Sequence, residues 1–159
     1  MAAKQSAGIL LFRSSVEGPE VLLVHPGGPF WAKKDLGAWS VPKGEHGEDE
    51  EGLACALREL EEELGSLPEI VESELIDLGD VRQKAGKRVR VWAAQGDFDP
   101  TTLDGNTFSM QWPPRSGRQQ EFPEVDRAEW FPPEEAKRRL NPAQAPFVDR
   151  LLERLAGLK

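Results

Sequence analysis

Residues Gly44 to Gly65 read GEHGEDEEGLACALRELEEELG, and this stretch decides the fold. Its last two thirds have the period of a single helix, because leucines recur at offsets of four, three and four residues. The leucine stripe comprises Leu53, Leu57, Leu60 and Leu64. We expect the stripe to be buried against the core of the protein.

Three glutamates lie together on an arc of the same helix, away from the leucines: Glu59, Glu62 and Glu63. Glu59 and Glu63 form a like-charge pair at i,i+4, which costs an isolated helix roughly 0.2–0.5 kcal/mol. No lysine lies four residues from any of the three, and only Arg58 is placed to reach Glu62. Such an arc is compatible with a solvated helix face, but it also suits Mg²⁺ or Mn²⁺, which prefer several carboxylate oxygens.

The segment before the helix favours the metal interpretation. Residues 39–44, Trp-Ser-Val-Pro-Lys-Gly, predict a short apolar strand that runs into a turn. The acidic loop Glu45 to Glu51 follows. The order is therefore strand, glycine loop and acidic helix, which directs the loop and the first helical turn toward one place.

These residues resemble the signature of the Nudix hydrolases, G-x5-E-x7-R-E-U-x-E-E-x-G-U, where U is aliphatic. Every fixed position from Gly44 to Gly65 matches, and only the last differs, because Ser66 replaces an aliphatic residue. The resemblance implies an α/β fold of the Nudix type, an α/β/α sandwich with a mixed β-sheet. It also implies hydrolysis of a nucleoside diphosphate linked to another group, with Mg²⁺ or Mn²⁺ as the cofactor.

The resemblance assigns roles to residues of the signature. Glu59, Glu62 and Glu63 become metal ligands, and the Gly44 carbonyl could add another. One of the carboxylates would orient or deprotonate the attacking water. Arg58 would steady a neighbouring glutamate, unless it is an ordinary helix ion pair, which is worth little. Glu50 is expected to order the loop.

A further acidic residue is expected near the last strand. Family members often carry a glutamate a few residues before a tryptophan there, and Glu124 has that spacing to Trp130. Glu121 is the alternative. Either could be a distal metal ligand or the base that activates water, and a solvated loop acid remains the structural alternative.

Substrate contacts are predicted at three places. Lys43 is held by its neighbours Pro42 and Gly44 beside the metal loop. The loop of residues 26–37 is rich in glycine and proline, and it could stack a base on Phe30 or Trp31 and meet phosphate with Lys33 or Lys34. The third place is the basic strand pair with Arg82 and Arg90. For the loop and the strand pair, an ordinary surface segment is the competing interpretation. Arg115 and Arg118, in a later loop, are weaker candidates for the polyphosphate.

Composition limits the remaining possibilities. A 159-residue chain that is 38% hydrophobic predicts one domain over residues 1–159. The net charge of −8 argues against a general nucleic-acid surface. A single cysteine, Cys55, and the lack of a signal peptide or a long apolar run predict a cytoplasmic protein with no membrane contact.

The remaining elements follow from periodicity and turn residues. Two terminal helices are expected over 132–140 and 146–158. Asn141-Pro142 has the form of a helix start, but Pro146 would disrupt a helix already under way, so the second helix is expected to begin later than Asn141. The other expected elements are strands at 4–13, 21–25, 74–83, 88–96 and 107–112, a turn at 84–87, a loop at 113–120, and a last strand entered from 121–131.

The predicted function is metal-dependent hydrolysis of a pyrophosphate bond in a nucleoside diphosphate-linked compound. The segment Trp39 to Gly44 resembles that of members that cut dinucleoside polyphosphates such as diadenosine tetraphosphate. Alternatives are a nucleoside triphosphate diphosphatase, an inositol pyrophosphate phosphohydrolase, and a non-catalytic ligand-sensing domain, which normally lacks signature glutamates; none is missing here. The expected partner is a small nucleotide or polyphosphate, and a homodimer through the hairpin or the terminal helices is possible.

Overall fold

The computed structural model describes residues 5–83 and 86–157, which form a mixed six-stranded sheet, a separate hairpin and three α-helices. The strands are β1 (Gln5–Ser15), β2 (Gly18–Pro26), β3 (Lys43–His46), β4 (Ile76–Arg82), β5 (Arg88–Gln95), β6 (Thr107–Gln111), β7 (Gln119–Pro123) and β8 (Val125–Phe131). The helices are α1 (Gly52–Leu64), α2 (Pro133–Arg139) and α3 (Pro146–Gly157).

Strand β1 is the centre of the main sheet, whose order is β4-β5-β1-β2-β8. One edge of β1 pairs in parallel with β5. The other edge is divided, because its first residues pair with β3 and its last residues pair with β2, both antiparallel. Residues Ala7 and Ile9 to Leu11 of β1 are fully buried, as a strand covered on both faces requires.

Two apolar clusters lie on opposite faces of the sheet, so the expected α/β/α sandwich is confirmed. One face packs against α1, and the other packs against α2 and α3 around Trp39 and Phe147. Each helix covers a sheet face that is hydrophobic, which is the usual solution for a mixed sheet of this size.

The buried side of α1 differs from the leucine stripe. Leu60 and Leu64 are fully buried, but Leu53 and Leu57 are only partly buried. Cys55 and Ala56 take their place in the core. Small side chains at these two positions let the helix backbone approach β1 and β3, so close packing outweighs leucine burial in the first turns.

Several element boundaries also differ from expectation. The strand predicted at 39–44 lies at 43–46, and Trp39 and Ser40 form only isolated bridges. The predicted loop 113–120 ends early, since β7 begins at Gln119 and contains residues 121–123. Helix α3, in contrast, begins at Pro146 as expected, because first-turn amides lack helical partners and a proline there loses no hydrogen bond. Lys84 and Ala85 of the predicted turn and Leu158 of the predicted helix lie outside the described residues.

None of the helices in the described part of the chain is long and apolar enough to cross a membrane.

Candidate active site

The glycine that opens the signature lies directly under a helix glutamate. A Cβ atom at Gly44 would collide with the carboxyl group of Glu59, so the absence of a side chain at Gly44 lets the two segments approach. The Cys55 thiol donates to the Gly44 carbonyl oxygen at 3.4 Å. Helix α1 therefore lies along β3, with its carboxylates over the glycine backbone.

Arg58 joins the acidic loop to the helix carboxylates. Its guanidinium donates two hydrogen bonds to Glu50, at 2.9 and 2.8 Å, and one to Glu59, at 3.0 Å. It also donates to both carboxylate oxygens of Glu62, at 3.1 and 3.3 Å. The Glu50 contact is the main cause of the raised Arg58 pKa, and it lowers the pKa of Glu50. The structure thus places Glu50 as the partner that fixes Arg58, and Arg58 as the residue that positions two glutamates.

The helix carboxylates repel one another and are partly removed from water. Burial first, and then the charges of Glu59 and Glu124, raise the pKa of Glu63 to about 8, although Lys43 opposes the shift. Burial and the nearby Glu62 likewise raise the pKa of Glu59, against the effect of Arg58. The protein therefore holds several carboxylates where their negative charge is unfavourable without a further positive group.

A chain of backbone hydrogen bonds brings a distal glutamate to this cluster. Asn106 donates to the Glu62 carbonyl oxygen at 2.8 Å and accepts from the Glu124 amide at 2.9 Å, and Gly27 donates to the Glu124 carbonyl at 2.9 Å. Glu124, Glu63 and Lys43 line one cavity of about 160 Å³. Burial lowers the pKa of Lys43, and the positive charge of Lys87 lowers it further.

The other acidic candidate lies elsewhere. Glu121 is an exposed residue of β7, and its carboxylate accepts a hydrogen bond from the Thr107 hydroxyl across the hairpin. Of the two glutamates that the sequence left open, Glu124 is the one that the structure brings to Glu63.

The donor set suits a divalent ion. Carboxylate oxygens and a backbone carbonyl are the ligands that Mg²⁺ and Mn²⁺ prefer. Within residues 5–83 and 86–157, no three acidic, histidine or cysteine side chains converge closely enough to form a ready-made cage. Arg58 holds two of the helix carboxylates in this arrangement. The residues fit a cation by oxygen type and by unfavourable mutual charge, and binding would require small side-chain movements.

The family follows from comparison with known proteins. A family model described as the NUDIX domain matches residues 3–151. This chain belongs to the Nudix family. Members of the family generally use divalent metal ions, and the signature glutamates of this Nudix protein are those clustered over Gly44.

Solved Nudix structures share the fold at low sequence identity. C. elegans Ap4A hydrolase, in a binary complex, is 22% identical over 98% of this chain and 99% of that chain, with a TM-score of 0.64. The NUDIX domain of Shewanella oneidensis NrtR complexed with ADP ribose is 20% identical over 98% of this chain and 90% of that chain, with a TM-score of 0.62. NrtR with a 27mer DNA is 19% identical over 95% and 61%, with a TM-score of 0.58. No curated protein matches this chain.

The predicted substrate-side residues of this Nudix protein occupy different places. Trp31 is 40% exposed, and the Lys34 ammonium lies 5.0 Å from the centre of its ring, while Lys33 is exposed. Arg90 pairs with Asp77 and lies in a depression next to the beginning of α1. Arg82 lines a different depression, next to the beginning of α3. Lys43, in contrast, shares a cavity with Glu63 and Glu124.

Two residues that join the Nudix site to its surroundings escaped sequence analysis. Asn106 acts through its backbone, so its side-chain type carries no signal of the role. Trp112 lies at the end of β6, where its ring contacts the edge of Phe30 with centroids 5.6 Å apart. A tryptophan at the end of a predicted strand gives no indication of a partner 82 residues earlier in the chain.

Proposed function

We propose that this Nudix protein hydrolyses a pyrophosphate bond in a nucleoside diphosphate-linked compound with the help of a divalent metal ion. The observation that carries the proposal is the unfavourable concentration of carboxylate charge around Glu59 and Glu63, beside the half-buried cation Lys43. Phosphoryl transfer depends mainly on charge neutralisation and on positioning the attacking water, and such a cluster can supply both with a metal ion.

The residues divide into three roles. Glu59, Glu62 and Glu63, with the Gly44 carbonyl, would hold Mg²⁺ or Mn²⁺, and a bound ion neutralises charge on phosphate oxygens. Glu124 lines the same cavity as Lys43 and Glu63, where it can serve as a further ligand or accept a proton from the attacking water. Arg58 keeps Glu59 and Glu62 oriented through its bonds to both.

Lys43 is proposed to contact an anionic oxygen of the substrate. Its ammonium lies in the cavity with Glu63 and Glu124, and a charged hydrogen bond to phosphate would replace the hydration that burial removes. Trp31 and Lys33 remain proposed contacts for the base and the phosphates. Arg82 and Arg90, which lie in other depressions, are weaker proposals for direct contact with the substrate.

Dinucleoside polyphosphates such as diadenosine tetraphosphate are the substrates we favour. The segment Trp39 to Gly44 and the fold shared with Ap4A hydrolase support this choice. The fold is equally shared with NrtR in its complex with ADP ribose, which favours a ligand-sensing domain as the second candidate. The complete set of signature glutamates favours turnover over sensing.

The test is turnover of a nucleotide panel with Mg²⁺, with Mn²⁺ and with a chelator. The panel contains diadenosine tetraphosphate, nucleoside triphosphates, ADP-ribose and an inositol pyrophosphate. We expect metal-dependent release of a nucleotide from at least one member. Glu124→Gln should lower kcat strongly while the matched change Glu121→Gln leaves it within about two-fold. Binding of a nucleotide without any turnover would instead support the sensing role.

A further inference from the structure

Two segments beside the site differ in charge from the rest of the chain. Residues 26–34, here called the 26–34 loop, and residues 105–120 contain no aspartate or glutamate, although the net charge of the chain is −8. Together they carry four cations: Lys33, Lys34, Arg115 and Arg118. The residues between 105 and 120 belong mostly to the β6–β7 hairpin, which extends to residue 123 and is here called the hairpin arm.

Aromatic contacts hold these two segments together. The ring of Phe108 lies against Gly28, where an added Cβ would come within 2.9 Å of it and where φ is +94°. Further along the arm, Phe30 and Trp112 meet edge to face, with ring centroids 5.6 Å apart and planes at 79°. Phe30 nevertheless remains 61% exposed. The contact leaves an aromatic surface open to solvent on the 26–34 loop.

The base of the arm is part of the candidate active site. Asn106 and Glu124, which flank the arm, are hydrogen-bonded to each other, and Gly27 of the loop is bonded to Glu124. Five residues of β6 separate this base from Trp112. Trp112 lies six residues after Asn106, a backbone span of about 20 Å at roughly 3.4 Å per residue. Phe30 lies three residues after Gly27, so its Cα is at most about 11 Å from that of Gly27. A ligand that contacts both the carboxylates and this aromatic pair would lie along the 26–34 loop, from Gly27 to Phe30.

The cations near the aromatic pair are available to a ligand. Within the described residues, Lys33, Arg115 and Arg118 make no ion pair, whereas Arg88 and Arg90 on the main sheet are matched by aspartates. Arg115 and Arg118 are exposed residues of the turn that follows Trp112, and the Trp112 amide donates to the Arg118 carbonyl oxygen at 3.0 Å. Aromatic faces interleaved with unpaired cations are typical of surfaces that bind bases and phosphates.

We propose that the Phe30–Trp112 pair, with Arg115 and Arg118, binds the second nucleoside of an extended substrate, the end of a dinucleoside polyphosphate that lies farther from the cleaved bond. This inference rests on the proposed function and specifies its substrate class. A nucleobase stacks on the exposed aromatic surface, and the arginines contact the phosphates that connect it to the carboxylate cluster. The arm thereby makes the protein prefer substrates with two nucleosides.

The test compares two substrates that differ only in the second nucleoside: diadenosine tetraphosphate and adenosine tetraphosphate. Trp112→Ala should raise KM for the first by about ten-fold, the size expected for one lost base stack, and leave KM for the second within about two-fold. Trp112→Phe retains a ring and should recover most of the loss. Arg115→Gln and Arg118→Gln should each raise KM for the dinucleotide more than Arg138→Gln, which removes the same charge from exposed α2.

Other results would overturn the inference. An equal change of KM for both substrates would show that Trp112 only supports the fold. An unchanged KM for diadenosine tetraphosphate would show that Trp112 does not bind the second nucleoside. If Trp112→Ala does not fold by circular dichroism, Phe30→Ala replaces it, because that side chain is largely exposed. Tighter binding of an oligothymidine than of diadenosine tetraphosphate would assign the surface to single-stranded nucleic acid instead.

The proposed function can fail separately. If the wild-type protein hydrolyses neither compound with Mg²⁺ or Mn²⁺, the catalytic proposal is wrong, and the arm is then judged by calorimetric binding of the same two nucleotides. Weaker binding of diadenosine tetraphosphate to Trp112→Ala than to the wild-type protein supports the aromatic site without catalysis. Equal binding of diadenosine tetraphosphate to the wild-type protein and to Trp112→Ala would contradict the proposed aromatic site.

Discussion

The carboxylates of α1 and the two arginines of β5, Arg88 and Arg90, are groups of like charge that the protein treats in opposite ways. On α1, burial and neighbouring acids raise the pKa values of Glu59 and Glu63. On the strand pair, Arg90 binds Asp77 and lowers the pKa of that carboxyl group. One group is held in mutual repulsion, and the other is neutralised within the protein.

This difference indicates where a ligand has most to contribute. A cation that enters the α1 cluster relieves repulsion that the fold maintains, so its binding is favoured by electrostatics that already exist. An anion that approaches Arg90 must compete with Asp77, and an anion at Arg88 must compete with Asp80, 3.5 Å away. A charged side chain is therefore a better candidate for binding when its charge is left unmatched.

The largest expected effect is on turnover. Glu59→Gln removes a carboxylate that lies over Gly44 and should lower kcat by on the order of a hundred-fold or more, as for loss of one electrostatic contact to a transition state. The matched control is Glu61→Gln, an exposed position on the same helix, which should stay within about two-fold. Steady-state kinetics with saturating Mg²⁺ measures both. Equal activity of the two variants would show that Glu59 matters no more for turnover than the exposed Glu61.

Most of the α1 side of this comparison could be predicted from the sequence. The chemistry depends on residues three and four positions apart on a helix, so the spacing of Glu59, Glu62 and Glu63 already places them together. The same local geometry predicts that Arg58 reaches Glu62, and the structure shows that contact at 3.1 Å. Which face of α1 is buried was less predictable. Cys55 and Ala56 are buried because their small side chains let the helix lie close to β1, and the spacing of residues along the helix does not give that distance.

The strand-pair side could not be predicted in the same way. The bond between Arg90 and Asp77 crosses from β5 to β4 where the register shifts between Asp77 and Asp80, and no spacing rule gives the position of such a bulge. Likewise, the choice between Glu121 and Glu124 depends on where β7 ends and β8 begins. Pairings between distant segments are set by the whole fold, so sequence alone left those alternatives open.

The second expected effect is on stability, and it has the opposite sign to the effect on turnover. Glu63→Gln should raise Tm in the presence of a chelator by a few degrees, since roughly 2–4 °C corresponds to each kcal/mol in a chain of this size. The folded pKa of Glu63 is about 8, above the ordinary 4.5, so its stabilising contribution is complete below about pH 4.5 and is lost as pH rises through 8. Glu63→Gln has no carboxyl group at this position, so its stability does not fall for this reason as pH rises.

The advantage of Glu63→Gln should therefore grow as pH rises from about 4.5 to about 8 and level off above that. Calorimetric or fluorescence melting with and without Mg²⁺ measures it, with Glu61→Gln as the reference for a helix-surface change. Saturating Mg²⁺ should stabilise the wild-type protein more than the variant and so reduce or reverse the difference. A variant that is less stable than the wild-type protein at pH 9 in chelator would show that Glu63 is not under electrostatic strain.

The smallest expected effect comes from loss of the ion pair between Asp77 and Arg90. Asp77 is about half exposed, and its partner Arg90 is similarly exposed, so water and salt weaken their attraction. Asp77→Asn should leave turnover within about two-fold and lower Tm slightly at pH 7. The pKa of Asp77 lies below its ordinary value of 3.8, chiefly because of Arg90, so its stabilising contribution is present above pH 3.8 and is lost as pH falls through the folded pKa.

The gap in Tm between the wild-type protein and Asp77→Asn should accordingly close as pH falls from 5 toward 3, and added salt should narrow it at pH 7. Arg90→Gln is the complementary variant, because it removes the same pair from the other side while leaving an unpaired aspartate. If Asp77→Asn instead changed KM for a polyphosphate substrate strongly while its melting curve stayed unchanged, Asp77 would be competing with substrate for Arg90. The strand pair would then be a binding surface whose internal ion pairs regulate access to its arginines, and matched charge could no longer be taken as a sign of a purely structural role.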